Sequence, residues 1–235
     1  MNPDVLTADR YKDVITVTER GVIDESCSSE EVGAYESRLK KDPRVKGLLI
    51  HEQCLQKRIF ALADDIIRDH QGSDVMHLMV VLTGSIFFAA DLSRYLYERG
   101  RVNVRIHLIK TSVYDKTIKK SGEHYRAVTL ELDPREIEGK NIIVLEDITD
   151  QGFTLTWLRN YLLSERNVAS VRICSLLDKE LRKPSDEVKK IRDKLMVDYT
   201  GFKIPDVWVA GYGVDAAQEM RNLPCIVSIN ESLYQ

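Results

Sequence analysis

No apolar run in this sequence approaches the ~20 residues that cross a bilayer, so no membrane-spanning helix is expected. Cysteine is scarce: Cys27, Cys54, Cys174 and Cys225 lie far apart and form no C-x-x-C pair. Two of them, Cys174 and Cys225, sit inside apolar strand-like runs, and the four read as buried free thiols of a reducing compartment. An excess of either charge is also lacking, with 34 Lys and Arg against 37 Asp and Glu and a net charge of −3. That balance gives no argument for nucleic acid or an anionic membrane as partner. There is no internal repeat and no low-complexity segment. The polar N-terminus is unlike a signal peptide and "ESLYQ" at the other end is not a peroxisomal address, which makes the cytoplasm the expected location.

What remains is an ordinary soluble globule, 43% hydrophobic and 30% charged, of a length that fits one α/β domain with a small appendage. Residues 1–45 are polar without a sustained period and are expected to form a loosely organised N-terminal lobe. From 51 to 70, Leu55, Ile59, Leu62, Ile66 and Ile67 follow helical spacing. "VMHLMVVL" (75–82) predicts a buried strand, "TGS" breaks it, and 86–100 predicts a helix ending at Gly100. Further strands are expected at 104–110, 168–177, 207–212 and 225–229, with a polar, lysine-rich loop over 111–127. Alternating strands and helices predict a mainly parallel sheet flanked by helices, whose ligands bind beyond the carboxyl ends of the strands.

The stretch "NIIVLEDITDQGFTLTWL" (141–158) runs a buried strand straight into three acids and a glycine. Gly152 permits a tight turn with inward N–H groups, and Thr154 offers a hydroxyl that can cap the next helix. A turn opening a helix suits a phosphate monoester. Glu146 and Asp147 beside it suit sugar hydroxyls or an Mg²⁺-bound sugar, and Asp150 between them can take a proton. A phosphorylated ribose satisfies all of these at once. The bland alternative, a solvated acidic turn, leaves the joint spacing of Glu, Asp, Asp, Gly and Thr unexplained.

"VLEDITDQGFT" resembles the ribose-phosphate signature of the type I phosphoribosyltransferases, E-D-x-x-D-x-G-x-T behind an apolar run. "SLLDKELRKP" and "VDYTGFKIPDVWVAGYGVDAAQEMRNLP" resemble the hypoxanthine-guanine branch, and "VVLTGSIFFAADL" resembles its pyrophosphate loop. The likeness spans roughly 45–230. It implies a single domain over 1–235, with a core of about 50–210 and a small hood from the N-terminal part and about 200–235. It implies purine salvage, in which a 6-oxopurine (hypoxanthine, guanine or xanthine) and phosphoribosyl pyrophosphate give a nucleoside 5′-monophosphate and pyrophosphate. Mg²⁺ at two sites is implied, with Mn²⁺ as substitute, and so is a homodimer or homotetramer.

The resemblance also assigns roles to residues. Asp150 is then the catalytic base or the partner of purine N7, and Glu146 and Asp147 receive the ribose and help hold metal with Asp215. Gln151, Gly152, Phe153 and Thr154 cradle the 5′-phosphate; Lys179 donates to O6, Trp208 stacks on the base and Val209 offers backbone contacts. Leu82, Thr83, Gly84 and Arg221 serve the pyrophosphate, at a loop where the family often has a non-proline cis bond. Thr83-Gly84-Ser85 replaces the commoner Lys-Gly-Gly, and "KTSVYDK" lacks the usual adjacent Ser-Tyr of the mobile loop. The segment 185–196 lengthens the chain between Lys179 and Gly201 and predicts an amphipathic turn or two through Val188, Ile191 and Leu195. Two other classes compete. A non-catalytic, nucleotide-sensing regulator would keep the phosphate turn but lose the base pocket, and an adenine or orotate enzyme would differ over 179–221.

Overall fold

A computed structural model describes residues 3–70, 75–113, 126–130 and 134–233. From the N-terminus come β1 (Asp4–Leu6), β2 (Ile15–Thr16), β3 (Val22–Asp24), α1 (Ser29–Leu39) and β4 (Val45–Ile50). Then follow α2 (Glu52–Asp69), β5 (Val75–Leu82), α3 (Ile86–Gly100), β6 (Asn103–Val113), β7 (Arg126–Leu130), β8 (Asn141–Thr149) and α4 (Phe153–Glu165). The last elements are β9 (Ser170–Glu180), α5 (Asp186–Lys194), β10 (Tyr199–Pro205), β11 (Val209–Ala210) and β12 (Ile226–Ile229).

Seven strands form the larger sheet in the order β2-β10-β9-β8-β5-β6-β7. All its neighbours are parallel except β6 with β7, which agrees with the expected mainly parallel sheet. Strand alternation divides its side chains between two layers. Leu78, Val80, Ile143 and Leu145 pack with Leu55, Ile59, Leu62, Phe88 and Leu92 of α2 and α3. Met79, Val81, Ile142 and Val144 face Leu155, Leu158 and Leu162 of α4 instead. With both faces covered, β5 and β8 read as continuous apolar runs. Each fully buried leucine here contributes roughly 1.5–3 kcal/mol of transfer free energy.

The N-terminal part departs from expectation. Instead of a loose lobe, β1, β3 and β4 join β12 and β11 in a second, five-stranded sheet. Val22, Val32, Leu48 and Ile50 are buried there, and α1 carries a complete capping box between Ser28 and Glu31. Strands of two or three residues are too short to carry a readable period, which is why this order was invisible. The expected strand over 207–212 shrinks to β11, and β10, which was not anticipated, lies just before it. Strand β6 extends to Val113 and β7 begins at Arg126, so the ends of the expected 111–127 loop are strand, and residues 114–125 lie outside the described ones. All four cysteines are free; three are buried, and Cys27 is only partly so.

Candidate active site

The carboxyl ends of β5, β8 and β9 share one rim, in register through pairs such as Val80 with Leu145 and Thr149 with Asp178. At the end of β8, Glu146 and Asp147 are buried although both are acids. Thr149 Oγ1 donates to Ser175 Oγ at 2.8 Å, and Ser175 Oγ donates to the Leu177 carbonyl at 2.8 Å. This hydroxyl chain ties the tips of β8 and β9 together beneath the rim. Gly152 then turns the chain at φ 83°, a left-handed conformation that suits glycine, and α4 begins.

Two helices at this rim, α3 and α4, differ from the others at their first turns. Helices α1, α2 and α5 have side-chain caps from Ser28, His51 and Ser185, and acids in their first turns. Helices α3 and α4 have neither. In α4 the N-cap is Gly152, and Thr154, expected as a possible cap, sits inside the first turn without making one. The unclaimed N–H groups and the positive end of the helix dipole are thus left for an anion. A cavity of about 330 Å³ opens there, lined by Leu82, Glu146 and the whole run Asp150–Leu155.

The loop after β5 is pressed against the acid pair. The Leu82–Thr83 peptide is cis. A Cβ added at Gly84 would stand 1.7 Å from Asp147 Oδ2, and one at Gly213, where φ is 102°, would stand 1.8 Å from the Gly84 carbonyl oxygen. Three chain segments therefore stack with no room for a methyl group. Burial pushes the Asp147 carboxyl up, opposed by its hydrogen bond with Glu146 and by the more distant charge of Arg221. Arg221 itself donates to the Gly213 carbonyl at 2.7 Å and pairs with Asp215 at 2.7 Å.

Beyond the turn lies a second cavity of about 650 Å³, lined among others by Asp147, Asp150, Lys179, Asp206, Trp208, Val209 and Asp215. Lys179 is buried, and its Nζ lies 3.6 Å from Asp150 Oδ2. Trp208 is 54% exposed and lines this cavity, so it is a wall of it and not a core residue. Ile148, Asp150 and Gln151 line both cavities, which makes the turn the partition between them. Of the residues singled out from sequence, Thr83, Gly84 and Arg221 line neither cavity; the structure places them behind or beside the acid pair. Sequence reading missed Asp206, whose Oδ2 accepts from the Arg182 N–H at 3.1 Å, together with Lys183, Ser185 and Val188 on the same wall. Nothing local to those residues signals a pocket, because the folding of β9 and β10 brings them there.

Among the described residues no group of three or more His, Cys, Asp or Glu could hold a metal ion. The hard oxygens of Asp147 and Asp215, lining one cavity, instead suit a cation that arrives with a phosphorylated ligand supplying most of its coordination. A cation there would also favour the ionised form that burial opposes at Asp147.

The model of the phosphoribosyl transferase domain matches residues 46–217. A hypoxanthine phosphoribosyltransferase of Haemophilus influenzae is 38% identical over 178 residues, covering 75% of this chain and 90% of that protein. A hypoxanthine-guanine-xanthine phosphoribosyltransferase of Tritrichomonas foetus is 33% identical over 188 residues, covering 80% and 93%. In a crystal structure, a hypoxanthine-guanine phosphoribosyltransferase of Bacillus anthracis superposes with a TM-score of 0.64 at 36% identity, covering 80% of this chain and 98% of that one.

Proposed function

The chain belongs to the phosphoribosyl transferase family, and from that premise we propose that it is a purine-salvage enzyme, a 6-oxopurine phosphoribosyltransferase. It transfers the 5-phosphoribosyl group of phosphoribosyl pyrophosphate to hypoxanthine or guanine, with xanthine as a further substrate, giving the nucleoside 5′-monophosphate and pyrophosphate. The single observation that carries the reading is the Lys179–Asp150 pair. On a 6-oxopurine, O6 and N7 stand side by side on one edge of the ring system. An ammonium and a carboxylate 3.6 Å apart match that edge, the lysine donating to O6 and the aspartate accepting the N7 proton.

The remaining roles follow from position. The 5′-phosphate sits on the uncapped start of α4, against Gln151, Gly152, Phe153 and Thr154. Glu146 and Asp147 take the ribose hydroxyls, and Trp208 and Val209 cover the base. The pyrophosphate lies toward Leu82, Thr83 and Gly84, with Arg221 supporting it by holding Asp215. Mg²⁺ at two sites, or Mn²⁺ in its place, would be held by Glu146 and Asp147 and by Asp215, with oxygens of the phosphorylated ligand completing each site, and would supply charge neutralisation for the departing pyrophosphate. The transition state carries oxocarbenium character at C1′, so the residues around it must exclude water while leaving the N9 lone pair free to attack.

The free cysteines support a reducing, cytoplasmic setting. No described helix is long and apolar enough to cross a membrane. We take the partners to be the two substrates and further copies of the chain, as a homodimer or homotetramer. The regulator alternative finds no support, since the base side is retained beside the phosphate turn. Assay of hypoxanthine, guanine and xanthine with phosphoribosyl pyrophosphate and Mg²⁺ should yield the monophosphates, with activity lost on chelation. No product with any of the three, together with tight nucleic-acid binding, would return the regulator to favour.

Lys179→Ala tests the orientation of the base. It removes a charge-assisted bond worth roughly 1.5–3 kcal/mol, so kcat/KM for 6-oxopurines should fall by about 10- to 150-fold. The ratio of guanine to adenine kcat/KM should fall too, since the penalty against a 6-amino group is lifted. Binding of phosphoribosyl pyrophosphate without base should hardly change. If the ratio holds while donor binding collapses, the lysine serves the phosphate side instead.

A further inference from the structure

The segment 185–196 folds into α5 and packs directly behind the phosphate turn. A Cβ at Gly152 would lie 3.0 Å from Leu195 Cδ2, 3.3 Å from Arg192 Cδ and 3.4 Å from Ile191 Cγ2. At the other end of the helix, Ser185 and the buried Val188 line the cavity assigned to the base. Between these contacts, Arg192 Nη2 pairs closely with the Asp178 carboxylate and approaches the Lys179 carbonyl oxygen at 3.4 Å. Adjacent strand residues face opposite ways, so Arg192 holds the end of β9 from behind while the Lys179 side chain works in front. One helix thus touches the phosphate turn, the base cavity and the backbone of the residue that reads O6.

We propose that Arg192 is a positioning residue that locks the Lys179 end of β9 to the Gly152 turn, and so sets affinity and selectivity at the base. The proposal rests on the purine reading above. Its chemistry is unlike that of a stabilising device. Arg192 and Asp178 are mostly buried, with 22% and 15% of their side chains exposed, and Nη1 of Arg192 is buried with no hydrogen-bond partner. Such a pair loses more hydration than well-packed apolar groups of the same volume, and its best-attested use is in fixing geometry. Here the fixed element is a strand end whose next side chain meets the ligand.

The test compares wild type with Arg192→Met, which keeps the stem over Gly152 but removes the fork. The double variant Asp178→Asn/Arg192→Met avoids an unpaired buried carboxylate, and Arg192→Lys keeps the cation. The primary readout is affinity for GMP by calorimetry, alongside KM, kcat and melting temperature. Arg192→Met and the double variant should bind GMP about tenfold more weakly. They should raise KM for guanine more than they lower kcat, and lower the guanine-to-adenine ratio. Arg192→Lys should recover most of the affinity. If both variants lose melting temperature but keep wild-type GMP affinity and base selectivity, the pair is merely structural and the proposal falls. Turnover of hypoxanthine and guanine by the wild type tests the functional reading separately: with turnover present and GMP affinity unchanged in the variants, only the positioning role falls.

Discussion

Gly84→Ala is expected to cut kcat/KM by about 10²-fold or more, because a misplacement of ~1 Å in a catalytic constellation has that effect. An added methyl would stand 1.7 Å from Asp147 Oδ2 and 2.4 Å from its Cγ, and retreat is blocked because Gly213 lies against the Gly84 carbonyl. Either the 82–85 loop or the Asp147 carboxylate must move. Both belong to the proposed site, where the loop is assigned to pyrophosphate and Asp147 to ribose and metal. The displacement should appear mainly as lost kcat and a higher requirement for Mg²⁺, since a cation at the proposed site would offset the burial of Asp147. Gly33→Ala in α1 is the control, since nothing lies within 4 Å of its new methyl, and it should leave kinetics unchanged. Wild-type kinetics in Gly84→Ala would mean that the loop is not held against Asp147 during turnover.

The legible parts of this protein were those whose signal is local. Strand β8 is buried on both faces and so reads as an unbroken apolar run, and α2 repeats its leucines and isoleucines at helical spacing because one stripe meets the sheet. The acids at the tip of β8 and in the turn after it were legible for a similar reason, since one short stretch carries them all. What escaped was built by contacts between distant segments. Strand β10 contains Gly201 and Pro205 and alternates poorly, yet it is fixed by pairing along most of its length with β9. The 3.6 Å approach of Lys179 to Asp150 joins a residue of β9 to the turn after β8, and the seating of α5 on Gly152 joins residues some forty positions apart. In the N-terminal part, Asp24 is wholly buried and satisfied by Lys57, Tyr11 and Ser26. Its carboxyl is thereby held far below the usual range, with the hydrogen bonds outweighing burial, the largest single influence. No polarity profile exposes such a residue, because an acid in a polar stretch looks solvated until its partners are known.

Asp150→Asn should lower kcat by about 10- to 10³-fold, a range set by what positioned acid–base groups contribute. The substitution keeps shape and removes the acceptor proposed for the N7 proton. Asp150 is half-exposed at the partition between the two cavities, so its loss opens no void in the core and melting temperature should barely change. The charge partner matters more. With the carboxylate gone, the Lys179 ammonium loses its neighbour at 3.6 Å, while the donation to O6 proposed for it should be undisturbed. KM for hypoxanthine and guanine should therefore stay within a few-fold of wild type, and the guanine-to-adenine ratio should persist, in contrast to Lys179→Ala. Steady-state kinetics with both bases separates the cases. A normal kcat with a greatly raised KM would make Asp150 a binding group, whose work is to hold the lysine in place and not to take the proton.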